Sequence, residues 1–127
     1  MYKRNFKNTD EAISILGFGC MRLPKIKADE PDIDEAAAQS LIDYAFEHGV
    51  NYFDTAYNYH QRKSEPFVGK ALKKYPRDQF YLASKMPGWL VKAEGDVDRI
   101  FDEQLKNCQV DYFDFYLCHA ISDESFK

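Results

Sequence analysis

The chain has 127 residues, a formal net charge of -4, and 45% apolar against 30% charged residues. That suffices for one domain with its own core, and the balance is that of an ordinary globular protein. The absence of a basic block argues against a nucleic-acid partner. No apolar run approaches the ~18 residues that cross a bilayer, which argues against a membrane one. Met1-Tyr2-Lys3-Arg4 is not followed by an apolar signal segment. Cys20, Cys108 and Cys118 are far apart and form neither a CxxC pair nor a disulfide framework. They read as reduced thiols packed as small apolar residues, which points to a cytoplasmic protein.

Residues 1–15 predict a β-hairpin: Tyr2 and Phe6 on one arm, turn chemistry at Asn8-Thr9-Asp10, and Ala12 to Ile15 returning. Leu16 to Met21 follows as a short buried strand whose Gly17 and Gly19 suggest close approach of backbone or ligand. Residues 24–31 read as a mobile polar loop. A helix is expected from Asp34 to His48, with Asp32 and Glu35 as a capping box and Gly49 as the stop. Its apolar stripe is Ala37, Leu41, Ala45 with Ala38, Ile42, Phe46. Val50 to Phe53 is a strand that runs into Asp54, and a loop continues to Lys63. Ser64, as N-cap, and Pro66 open a second helix that buries Phe67, Val68, Ala71 and Leu72, and Pro76 ends it. Phe80 to Ser84 is the next strand, running into Lys85, with a Pro87-Gly88-Trp89 loop behind it. A third helix spans roughly Val97 to Asn107, with Val97, Ile100, Phe101 and Leu105 facing inward. Phe113 to Cys118 is a strand running into His119, and the eight residues after it are polar.

This strand–helix alternation implies a parallel sheet with crossover helices, an α/β fold. Parallel strands end on one side, where such folds bind ligands. Three strands discharge a titratable residue there: Asp54, Lys85 and His119. Tyr59 follows five residues after Asp54 on a loop. A lysine ammonium beside a phenol favours the phenolate, an aspartate would hold that lysine, and an imidazole can orient a carbonyl. The set suits proton delivery to an oxygen gaining negative charge, as a carbonyl does on accepting hydride. Tyr57, Trp89 and Phe18 are candidates to line an apolar pocket beside it. Each residue alone has a plainer role: Asp54 as a turn or cap residue, Tyr59 as surface, Lys85 as a solvated charge, His119 as a core histidine. A metal site from Asp54, His60 and His119 is a further alternative, but the spacing matches no ligand motif and Lys85 would repel a cation, so no metal is expected.

The segment from Gly49 to Tyr59 resembles the aldo-keto reductase signature around its catalytic aspartate and tyrosine. Ser64 to Leu72 resembles the segment after it. Leu82-Ala83-Ser84-Lys85 resembles the strand of the catalytic lysine, and Asp111 to His119 that of the catalytic histidine. Leu16 to Pro24 resembles the first barrel strand. The resemblance implies the N-terminal half of a (β/α)8 TIM barrel, preceded by the hairpin, as one partial domain over residues 1–127. It implies NADPH, or less often NADH, as cofactor and a small aldehyde or ketone as substrate. By that resemblance Tyr59 is the proton donor, Lys85 lowers its pKa, Asp54 holds Lys85 and His119 positions the carbonyl. Gly19, Cys20, Met21 and Asp54 would lie near the nicotinamide ribose. Relatives with the Cys20-Met21-Arg22-Leu23-Pro24 turn often carry a ferredoxin-like iron–sulfur extension, which three scattered cysteines do not supply.

A complete barrel takes at least ~200 residues, so the chain is expected to be truncated after its fourth barrel strand, without the nicotinamide-stacking and phosphate-binding residues. A half barrel leaves two strand edges unpaired, and self-association through those edges is an expectation. The rival reading is a non-catalytic fragment or a binding and regulatory module derived from the barrel, as in family members that act as channel partners.

Overall fold

In the computed structural model, which describes residues 1–124, four parallel strands form one sheet in the order β3-β4-β5-β6. Residues 125–127, the end of the polar stretch after His119 and of the expected 1–127 domain, lie outside the described residues. The strands are β3 (Phe18–Gly19), β4 (Tyr52–Asp54), β5 (Tyr81–Met86) and β6 (Phe115–Cys118). Helices α1 (Glu35–Glu47), α2 (Ser64–Leu72) and α3 (Asp96–Cys108) make the crossovers. An antiparallel hairpin of β1 (Lys3–Asn5) and β2 (Ala12–Ser14) precedes them. The α/β architecture and the hairpin are those expected from the alternation.

The period-two alternation of strand side chains separates two faces. Phe53 and Leu82 point to the helices and join Ile42, Val68, Leu72 and Cys108 in the core. Tyr52, Tyr81 and Phe115 lie on the opposite face, the rings of both tyrosines against Phe115, and Phe6 of the hairpin meets Phe115 edge-on at 5.1 Å between centroids. Asn51 ties the hairpin down: its side chain accepts from Ser14 N at 2.8 Å and donates to Ala12 O at 2.9 Å. Helices α2 and α3 cross at Gly69, where a Cβ would stand 2.5 Å from the main chain of Cys108.

Several local expectations are corrected. Asp34, not Asp32, caps α1, accepting from Ala37 N; Asp32 pairs with Lys63 instead. Gly49 does stop α1, at φ +90°, where glycine is favoured. Leu41 is exposed, because the α1 stripe that packs is Ala38 and Ile42. Ser64 is the first residue of α2 rather than its cap; its hydroxyl is turned inward, donating to Cys20 O at 3.0 Å. The buried stripe of α3 is Ile100, Gln104 and Cys108, and Val97 is exposed. The first sheet strand shrinks to Phe18 and Gly19, with Leu16 and Met21 exposed, because only those two residues find partners on β4. The segment 24–31 is laced by its own bonds, among them Ile26 N to Asp32 O and Lys25 Nζ to Ala28 O, and an isolated bridge joins Lys25 to Ile33.

Candidate active site

The carboxyl ends of β4 and β5 bring Asp54 and Lys85 together. Asp54 is the last residue of β4. Lys85 lies one residue inside the end of β5, on the face away from the helices. Lys85 Nζ donates to Asp54 Oδ1 at 2.6 Å and to the main-chain oxygen of Thr55 at 2.9 Å. Its side chain is 13% exposed and that of Asp54 29%, so the pair is partly shielded from water and yet open on one side. The ammonium also stands 4.8 Å from the ring centroid of Tyr59, within cation–π range.

Tyr59 and His119 meet edge to face, with centroids 5.7 Å apart and planes at 89°. His119 directly follows β6, and its main-chain N–H donates to Met86 O at 3.0 Å. Its Nδ1 is shielded from solvent and has no hydrogen-bond partner among the described residues. Burial, and secondarily the charge of Lys85, hold its pKa below the ordinary histidine value against the opposing pull of Asp54. The imidazole is therefore neutral at pH 7. The four strand-end and loop residues read from the sequence thus converge on one place.

The loop that presents Tyr59 is unusual. His60, Gln61 and Arg62 have φ of 50°, 50° and 72°, three successive left-handed residues that are not glycine. Each costs roughly 1–2 kcal/mol, so surrounding contacts must hold the turn. His60 is clamped at both ring nitrogens: Nε2 accepts from Leu23 N at 3.0 Å, and Nδ1 faces Pro31 O at 3.2 Å. The guanidinium of Arg62 pairs with Glu103 on α3 and lies 4.3 Å from the Tyr57 ring centroid. His60 is thereby committed to the loop, and among the described residues no three His, Cys, Asp or Glu side chains gather as a metal would need.

Other candidates separate. Trp89 is at the site, its ring 5.2 Å from that of His119. Tyr57 is not: it is buried and donates to Glu103 Oε2 at 3.0 Å. Phe18 packs against Phe53 in the core, 5.9 Å between centroids. Of the four residues expected near a cofactor, Gly19 and Met21 are exposed and Asp54 is partly so. Cys20 is fully buried, its N–H bonded to Asp54 O and its oxygen to Ser64. Burial, with Asp54 adding to it, pushes the Cys20 thiol up to about 12, so it is no nucleophile.

Apart from Trp89, sequence reasoning missed the neighbours of this cluster. An open depression of ≈ 410 Å³ beside His119 is lined by Met86, Gly88, Trp89, Cys118, Ala120 and Ile121. Thr55 supplies the second acceptor for Lys85. Of these, only Trp89 carried a signal in the sequence.

Residues 15–125 match the profile of the aldo/keto reductase family. The chain is 36% identical to "Probable aldo-keto reductase 1" of Glycine max over 86% of its own length and 33% of that protein. It is 32% identical to L-galactose dehydrogenase of Arabidopsis thaliana, over 93% and 38% respectively. An NADH-specific methylglyoxal reductase of Escherichia coli is 31% identical over 94% of the chain and 42% of the enzyme. The chain therefore spans about a third to two fifths of the length of these curated relatives. Among solved structures, the thermostable aldo-keto reductase Tm1743 bound to the inhibitor epalrestat superimposes with a TM-score of 0.80 at 28% identity, over 98% of this chain and 44% of that one. The holo form of aldo-keto reductase AKR11C1 from Bacillus halodurans gives 0.72 at 35% identity, over 92% and 40%. An aldo-keto reductase of Klebsiella pneumoniae in complex with NADPH gives 0.72 at 26%, over 88% and 37%. The sheet and its crossover helices are a partial TIM barrel of this kind, as the N-terminal half of a (β/α)8 barrel would be. With profile, relatives and fold in agreement over nearly the whole chain, it belongs to the aldo/keto reductase family.

Proposed function

We propose that the chain carries the proton-delivery half of an NAD(P)H-dependent carbonyl reductase, converting small aldehydes or ketones to alcohols in the cytoplasm. The observation behind this is one cation touching three things: Lys85 Nζ bonds Asp54 Oδ1 and Thr55 O and stands against the Tyr59 ring. Tyr59 donates its proton to the carbonyl oxygen as charge develops there. Lys85 offers positive charge to the phenol as the proton leaves, and Asp54 keeps Lys85 aimed. Neutral His119 faces the same space with a ring edge and orients the carbonyl. Trp89 and Ile121 give the substrate an apolar wall.

A reduced nicotinamide, when bound, supplies the hydride. The residues present suit its nicotinamide–ribose end. A Cβ added at Gly19 would meet nothing within 4 Å, and Met21 and Asp54 are accessible beside it. Cys20 would contribute only through its place in the chain. NADPH or NADH is supported by one relative named as NADH-specific and by another whose structure holds NADPH.

The test is titration with NADPH, read by the fluorescence of Trp89, the single tryptophan. Saturable binding, aldehyde turnover, and a Tyr59→Phe variant that keeps binding but loses turnover by roughly 10²–10⁴-fold would support the reading. A chain that binds NADPH but turns over equally well as Tyr59→Phe would sink it. The alternative is a binding or regulatory module without turnover. Absence of binding at millimolar NADPH supports that alternative. The edges of β3 and β6 are free of strand partners among the described residues, and self-association of two copies through them is part of the proposal. A monodisperse monomer in light scattering rejects that part alone.

A further inference from the structure

Behind the site, on the helix face of the sheet, lies a polar cluster that the proposed chemistry does not use. Glu65, on α2, is fully buried and touches no cation among the described residues. Its Oε1 accepts from Ser84 Oγ at 2.7 Å and from Gln104 Nε2 at 2.6 Å, and its Oε2 from Asn107 Nδ2 at 3.1 Å. Burial pushes its carboxyl above the ordinary range, and the three hydrogen bonds oppose that shift. Every partner is a donor, which is what an ionised, acceptor-only carboxylate requires.

Gln104 stands at the centre. Its Nε2 reaches Glu65 Oε1, Ser84 Oγ at 3.1 Å and the main-chain oxygen of Lys85 at 3.0 Å. Its Oε1 accepts from the hydroxyl of Tyr116 on β6. The amide cannot be reversed: a carboxylate and a peptide oxygen only accept, so nitrogen must face them. The Tyr116 phenol stays protonated, since burial and then the charge of Glu65 raise its pKa, so it fixes the other end as a donor. An oriented amide thus grips the peptide unit of the residue whose side chain makes the Asp54 pair on the other face.

We infer that Gln104 is a positioning residue for Lys85: anchored by Glu65 and Tyr116, it holds the Lys85 carbonyl and so sets the direction in which the ammonium leaves β5 toward Asp54 and Thr55 O. This rests on the reading of Lys85 as the site's cation, and its test needs no cofactor or turnover. The probe is the Lys85 ammonium itself, observed in 15N-lysine-labelled protein as a slowly exchanging signal assigned by Lys85→Arg. Gln104→Met keeps the side-chain length and removes both the amide donor and acceptor. Exchange of the Lys85 ammonium should accelerate about tenfold, the effect of losing roughly one hydrogen bond. Asn107→Leu removes another donor to Glu65 without touching the Lys85 carbonyl, and should leave that signal at its wild-type rate. A wild-type rate in Gln104→Met, or equal acceleration in both variants, overturns the inference by reducing the cluster to packing. If Gln104→Met does not fold, Tyr116→Phe serves: it removes the donor that holds the amide's Oε1 and so loosens its grip on the Lys85 carbonyl, and acceleration supports the inference while an unchanged rate overturns it. A failed NADPH titration with these rates as expected rejects the carbonyl-reductase reading and leaves the positioning role standing.

Discussion

Ser84 and Lys85 are neighbours on β5 but serve opposite faces of the sheet and two differently built clusters. Lys85 faces away from the helices and pairs with Asp54, cation against anion, with Asp54 partly open to solvent. Ser84 faces the helices and meets Glu65, a carboxylate held only by neutral donors in a place without solvent access. A partly open ion pair contributes little to stability, and its charges remain available to a ligand. A sealed carboxylate contributes nothing to a ligand directly, and removing it leaves buried donors unsatisfied. The difference separates chemistry from architecture across one strand.

The sharpest break is at Lys85. Lys85→Met should lower turnover by roughly 10²–10⁴-fold, and Asp54→Asn should lower it in the same direction, while urea midpoints give losses under about 1 kcal/mol for Asp54→Asn. Glu65→Leu should do the converse. It strands Ser84, Gln104 and Asn107, and a urea titration should show a loss of roughly 2–5 kcal/mol. If Asp54→Asn destabilises as much as Glu65→Leu, the division between the faces fails. Gly69→Ala disturbs the helix face without touching a polar group. Its Cβ would press on the Cys108 main chain, and thermal unfolding should show roughly 1–3 kcal/mol of destabilisation. The smallest effect is a pH dependence at His119. Its folded pKa is lower than its unfolded one, so its contribution to stability is full above about 6.5 and is lost as pH falls toward the folded value. Urea midpoints across that window should fall with acidification, and His119→Gln should flatten the slope.

The parts legible in the sequence were those with local causes. Strands ending in Asp54, Lys85 and His119 announced themselves because apolar runs stop at titratable residues, and parallel topology gathers their ends. Gly49 ended α1 because few other residues tolerate φ +90°. The helix-face cluster was hidden for an equally physical reason. Glu65 looks like an ordinary acid in the first turn of a helix. Gln104 interrupts the stripe of Ile100 and Cys108 with a polar residue, so the apolar pattern added Val97, Phe101 and Leu105 to Ile100 and passed over Gln104 and Cys108. Which of two overlapping helix faces is buried depends on the partner, here α2 at Gly69, and no local pattern encodes that. The left-handed turn at 60–62 was equally silent, since His, Gln and Arg give no cue for positive φ.

That turn has a consequence for the order in which the protein becomes competent. The turn that carries Tyr59 is braced in part by Arg62, which reaches Glu103, more than forty residues later in synthesis. A nascent chain that has released Tyr59, Asp54 and Lys85 from the ribosome, but not α3, already carries three of the four groups and holds the turn that aims the phenol through His60 without the brace of Arg62. A chain ended before residue 96 would reveal this as a Tyr59 ring resonance displaced from its native shift, and a native shift there would refute it. The full aim of the phenol then arrives with α3, not with the residues of the cluster itself.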